Sequence, residues 1–125
     1  MRGGKDGTFM DRRIRFKVFR SATSKGMSSH VAMATAYAVH PFNSNHPCEP
    51  SIEAPIRDMA RRVAIMLRQP MFGSVIPVEH AVLEALDDYR KRAEAAGDDF
   101  YARRFAARAE GARRSRDSEW DSKPR

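Results

Sequence analysis

The stretch 56–67 constrains this chain most. Ile56, Met59, Ala60, Val63, Met66 and Leu67 recur at helical spacing, and Arg57, Asp58, Arg61 and Arg62 fall between them. That pattern puts apolar side chains on one face of an α-helix and charge on the other. Such a face is stable only against another apolar surface, so the chain must build a core around it.

Three further helices are expected as partners. Residues 31–40 (VAMATAYAVH) are apolar nearly all round and carry no formal charge, the composition of a buried helix. Ser28 or Ser29 can cap its start and Pro41 stops it. Residues 78–96 offer the face Val78, Val82, Ala85, Leu86, Tyr89 and Ala93, with Pro77 in front and Gly97 as a C-cap. Asp98 caps a last helix over 99–114, whose thin stripe is Tyr101, Phe105, Ala109 and Ala112. Between the first two helices, residues 41–55 hold prolines at 41, 47, 50 and 55. A connection that long in a small domain is expected to be packed, with Phe42, His46 and Cys48 as its anchors. Pro55 then falls in the first turn of the 56–67 helix.

Residues 12–20 (RRIRFKVFR) alternate. Ile14, Phe16 and Val18 point one way, and Arg13, Arg15, Lys17 and Phe19 the other, which is the period of a half-buried strand. Its partner is 72–76 (FGSVI), between Pro70 and Pro77, or the same strand of a second copy in a homodimer. The fold expected is α+β and predominantly helical: three to four helices with a short antiparallel strand pair. The alternative is an all-α bundle with an extended N-terminal arm.

The hydrophobic share of 42% is modest and the charged share of 31% high, which implies a folded centre with polar ends. The expected division is a flexible basic arm at 1–8, one small domain at 9–114 and a disordered tail at 115–125, with Trp120 in the tail. A chain of 125 residues is otherwise one domain.

The formal net charge is +7 and it is unevenly spread. Residues 1–25 contribute +6 and 100–125 contribute +4, whereas 78–99 contribute −4. Eighteen of the 23 bases are arginine, whose planar fork matches phosphate and carboxylate. A polyanionic partner is the functional reading of this balance; arginine-rich codon usage is the bland one. The single cysteine, Cys48, excludes an internal disulfide and fits a reducing cytoplasm. No apolar run reaches the ~20 residues of a membrane span, and no apolar leader follows the first bases.

Catalytic constellations are weak. His40, His46 and Cys48 lie close in sequence, with His30 one helix earlier, but H-x5-H-x-C is not a zinc-ligand spacing. Cys48 with His46 or His40 is the one nucleophile–base pair to consider, and it lacks an orienting third group. Glu84, Asp87, Asp88, Asp98 and Asp99 read as solvated helix faces and caps, not as a metal cage. Gly3-Gly4-Lys5-Asp6-Gly7 lacks the order of a phosphate loop. No metal and no cofactor is expected.

The basic surfaces remain. One set is Arg12, Arg13, Arg15, Lys17 and Arg20, with Phe19 able to stack on a base; the other is Arg103, Arg104, Arg108, Arg113 and Arg114. The function expected is a non-catalytic binding protein that docks on nucleic acid or a nucleoprotein complex through these faces. A small phage- or plasmid-type inhibitor or adaptor bound to a protein partner is the second reading, and a Cys/His-dependent enzyme the third.

Overall fold

In the computed structural model the backbone is described for residues 3–71 and 73–122, and the side chains for 9–71 and 73–115. Five helices follow in order: α1 (Gly3–Ser24), α2 (Ser29–Val39), α3 (Pro50–Arg68), α4 (Ile76–Ala95) and α5 (Asp99–Ser122). Helices α1 and α5 thus run into the segments expected as arm and tail. The side chains of both segments, Trp120 included, lie outside the described residues apart from Ser115.

Helix α2 is the hub. Helices α1, α3, α4 and α5 all pack on it, and α4 closes the far side against α3 and α5. Its composition explains why. Val31, Ala32, Ala34, Thr35, Ala36 and Ala38 are buried, and small side chains let neighbouring backbones approach from several directions. The buried Thr35 hydroxyl donates to the Val31 carbonyl at 2.8 Å, and the Tyr89 hydroxyl of α4 donates to the Ala38 carbonyl at 2.8 Å. Every polar atom brought into this core by those two side chains therefore has a partner.

The amphipathic helices bury the expected faces. In α3 these are Ile56, Ala60, Val63 and Leu67, with Met59 and Met66 half-buried at the edge. In α4 Val78, Val82, Ala85, Leu86, Tyr89 and Ala93 are buried, joined by Leu83. In α5 Tyr101, Phe105, Ala109 and Ala112 are joined by Ala102. Gly97 takes φ +74° after α4, the left-handed conformation that lets the chain turn sharply into α5. Asp98 then caps α5, its Oδ1 accepting the Tyr101 amide at 3.2 Å.

The expected strand pair does not form. Among the described residues there is no strand, and the all-α alternative fits, except that residues 12–20 are the middle of α1 and not an extended arm. The reason lies in which side chains turn inward. Asp11, Arg15 and Ala22 are buried and Val18 is half-buried on the core, a stripe at helical spacing. Ile14 and Phe16, the apolar half of the apparent alternation, are exposed. Two charged residues replace apolar ones on the packed face, so the hydrophobic period is that of the solvent side. The proposed partner 72–76 also fails: Phe72 lies outside the described residues, Gly73 turns with φ +99°, and Ile76 opens α4.

The long connection is shorter than expected. Pro50 at the first turn starts α3, with Glu49 as its N-cap, and Pro55 lies inside the helix. Proline forgoes one intrahelical bond there, because it has no N–H. What remains, residues 40–49, is packed: Pro41, Phe42 and Cys48 are buried.

Substituting Ala36, which has no exposed surface, tests α2 as the hub. Ala36→Leu should overpack it and cost about 1–3 kcal/mol in urea unfolding. Ile65→Lys, at a site 54% exposed on α3, should stay within about 0.5 kcal/mol of the parent.

Candidate functional site

Asp11 and Arg15 turn inward because residues 40–44 receive them. The Asp11 carboxylate accepts the Ser44 amide on Oδ2 at 2.7 Å. On Oδ1 it accepts the Ser44 hydroxyl at 3.0 Å and faces His40 Nε2 at 2.8 Å. Burial alone would raise the Asp11 pKa, but the bonds from the Ser44 amide, His40 and the Ser44 hydroxyl outweigh it and hold the group below its ordinary value. Arg15 sends Nε to the His40 carbonyl and Nη2 to the Phe42 carbonyl, both at 2.9 Å. These carbonyls follow the end of α2, where backbone acceptors lose their helical partners. Arg15 is 7% exposed and belongs to the fold. The outward-facing role expected for it is corrected.

The same guanidinium begins a second arrangement. Its Cζ lies 4.5 Å from the centroid of the Tyr37 ring on α2. Arg104 and Arg108, one turn apart on α5, reach that ring at 4.5 and 4.3 Å. Arg108 also donates to the Tyr37 hydroxyl at 3.2 Å, and Arg104 donates from Nη2 to Asn43 Oδ1 at 3.1 Å. The Arg104 Nε is sealed from solvent and has no hydrogen-bond partner among the described residues. Each cation gains from the ring face, by about 0.5–2 kcal/mol, but the cations also repel one another. Burial, and then the charge of Arg104, lower the Arg15 pKa. Asp11, whose charge attracts Arg15, is already bonded to Ser44 and His40.

Beside Tyr37 a groove of about 370 Å³ opens between α1 and α2, lined by Arg12, Arg15, Phe16, Phe19, Met33 and Tyr37. Its wall residue Phe16 is 58% exposed. Along the outer face of α1, Arg20 lies 5.8 Å over the Phe16 ring and Arg13 lies 5.9 Å over Phe9. Arginine and phenylalanine thus alternate on one helical face.

The arginines divide into two populations. Six arginines of α3, α4 and the end of α5 are matched with acids: Arg57–Glu53, Arg61–Asp58, Arg90–Glu94, Arg92–Asp88, Arg113–Asp87 and Arg114–Glu110. Among the described residues, Arg12, Arg13, Arg15, Lys17, Arg20, Arg103, Arg104 and Arg108 make no ion pair with a carboxylate, and neither do the exposed Arg62 and Arg68 of α3. Of the residues expected in a basic surface, the structure brings together Arg12, Arg15, Phe19, Arg104 and Arg108. Arg13, Lys17 and Arg20 continue the exposed face of α1. Arg103 is exposed on α5, while Arg113 and Arg114 are held by their acids. Sequence reading missed Tyr37, Met33, Phe16 and Asp11. Only the i,i+4 spacing of Arg104 and Arg108 hinted that some third element would meet both.

A second depression, of about 350 Å³, lies over Asp11, His40 and Ser44, with Arg57 and Arg61 on its α3 wall. It is not built like a nucleophile site. The carboxylate is the shared acceptor, so the Ser44 hydroxyl donates to Asp11 and not to the histidine that would have to take its proton. Cys48 is buried, and burial, then Asp98 and Glu53, push its thiol up to about 11, opposite to thiolate activation. His46 stacks on Phe100 with centroids 3.7 Å apart. Among the described residues no three His, Cys, Asp or Glu side chains are grouped as metal ligands would be. No helix among them is long and apolar enough to cross a membrane. Comparison with known proteins finds no matching family model, curated protein or solved structure.

Two outcomes follow from these environments. With the Cys48 thiol at about 11, only about a thousandth of it is thiolate at pH 8. Alkylation by iodoacetamide should be far slower in the folded protein than in urea. For Asp11 the folded pKa is depressed, so its stabilising bonds are complete above the ordinary carboxylate value and are lost as pH falls through the folded one. Asp11→Asn should cost about 1.5–3 kcal/mol at pH 7. It should also flatten the loss of stability below about pH 4 seen in acid titrations of the parent.

Proposed function

We propose that the protein is a non-catalytic binding protein that docks on nucleic acid or a nucleoprotein complex, working in the cytoplasm, through the face shared by α1 and the middle of α5. The observation that supports this reading is the gathering of arginines around Tyr37. Arg15, Arg104 and Arg108 converge on that ring, and among the described residues neither they nor Arg12, Arg13, Lys17 and Arg20 of α1 pair with a carboxylate. A polyanion supplies the missing charge without asking the fold to change, and guanidinium forks suit its phosphates.

Exposed apolar side chains favour a second reading. Phe9, Met10, Ile14 and Phe16 are 59%, 49%, 38% and 58% exposed on α1, and a groove on a protein partner would cover them. In that reading the protein is a small inhibitor or adaptor of phage or plasmid type, held on a nucleic-acid-processing complex. Capture of the same partner before and after nuclease treatment separates the two, since a protein-held complex survives digestion.

Counterion release makes phosphate binding steeply salt-dependent. Affinity for a labelled nucleic acid should fall on a log–log plot with a slope of about −0.7 to −0.9 per phosphate contact. Arg12→Gln with Arg108→Gln should weaken binding and flatten that slope by about 1–2, with thermal unfolding little changed. Arg15→Gln should instead lower thermal stability, because it unties residues 40–42. Affinity that does not respond to salt removes the proposal.

A further inference from the structure

We infer that the groove beside Tyr37 takes an unpaired base, so that the protein selects single-stranded over double-stranded nucleic acid. This rests on the nucleic-acid reading above and names the form that the site accepts.

Shape and chemistry act together in this groove. The groove holds two kinds of surface that one nucleotide presents and a duplex does not. Phe16, Phe19, Met33 and Tyr37 supply aromatic and thioether walls, and Arg12 and Arg15 border them. Arg108 stands at the Tyr37 end with its Nη2 on the phenol oxygen. A flat apolar group that carries an anion matches this combination. In a duplex the π-faces of the bases are covered by their neighbours, and only edges and phosphates reach a protein. In a single strand the faces are free to stack on aromatic rings while the adjoining phosphates meet cations. A volume of about 370 Å³ is the size of a small-ligand pocket and far too narrow for a helix of two strands.

The surroundings extend the track. Phe9 and Phe16 are seven residues apart on one face of α1, or about 10 Å by helical rise. That spacing spans roughly three stacked nucleotides at ~3.4 Å each. Arg13 and Arg20 sit over these two rings, so stacking positions and phosphate positions alternate along the helix. Charge alone would not predict this order. A face evolved only for polyanion attraction has no use for phenylalanines that are 58–59% exposed.

The test is fluorescence anisotropy at one fixed salt concentration with four probes: a labelled oligo(dT) of 20 nucleotides, a 20-base-pair duplex, an abasic single strand of the same length, and anionic vesicles of phosphatidylserine and phosphatidylcholine. The expected result is affinity for oligo(dT) about tenfold or more above that for the duplex and the abasic strand. Phe16→Ala, at an exposed position that the core does not need, should erase about tenfold of the oligo(dT) affinity and leave duplex binding unchanged. Equal binding of oligo(dT), duplex and abasic strand overturns this inference and leaves the nucleic-acid reading standing. Binding of none of the three nucleic acids, or of vesicles alone, overturns both.

Discussion

Helix α2 has no Lys, Arg, Asp or Glu between Ser29 and Val39, and it is covered by helices on several sides. The rest of the molecule depends on that burial. Burying charge without partners is costly, so only an uncharged helix of small side chains could take the central place. Its alanines keep the other helices close. Its one large aromatic, Tyr37, is left at the edge of the core, half-buried, where α1 and α5 flank it. The hub and the candidate site are therefore one element seen from two sides.

The second consequence concerns α1. This helix docks with Asp11 and Arg15 inward at one end and Val18 and Ala22 at the other. Polar docking is tolerable because both charged groups bond to residues 40–44, which exchanges desolvation for charge-assisted bonds. It leaves Phe9, Met10, Ile14 and Phe16 facing solvent. The exposure of these four apolar side chains adds nothing to the stability of the fold. In the proposed reading, the exposed aromatic and basic face of α1 is where the partner sits.

How much of this was legible in the sequence follows from where charge sits. In α3, α4 and α5 the apolar stripe is the buried stripe, so helical spacing alone identifies Val63, Leu86 and Phe105 as core. In α1 the rule inverts, and the alternation of Ile14, Phe16 and Val18 imitates a strand. Nothing local could reveal that Asp11 and Arg15 would find partners 25–33 residues away. The start of α3 was displaced for a related reason: Pro50 and Pro55 are both acceptable near a helix start, and spacing does not choose between them. The arginines were recognised as candidates. Their sorting into acid-matched and unmatched sets needed the fold, because Arg113 meets Asp87 across α4 and α5 and Arg104 and Arg108 meet a tyrosine more than sixty residues earlier. Tyr37 itself carried no signal beyond being the only aromatic in an uncharged helix.

If α1, α2 and central α5 form one receptive surface, a single strand will meet that side of the molecule and leave α3 and α4 untouched. Backbone amide chemical shifts recorded while a short single-stranded oligonucleotide is titrated into isotope-labelled protein test it most directly. Perturbations should gather at Arg12, Phe16, Phe19, Met33, Tyr37 and Arg108, with the acid-paired Arg57 and Arg61 of α3 unmoved. Shifts centred on α3 and α4, or spread evenly over the molecule, would contradict it.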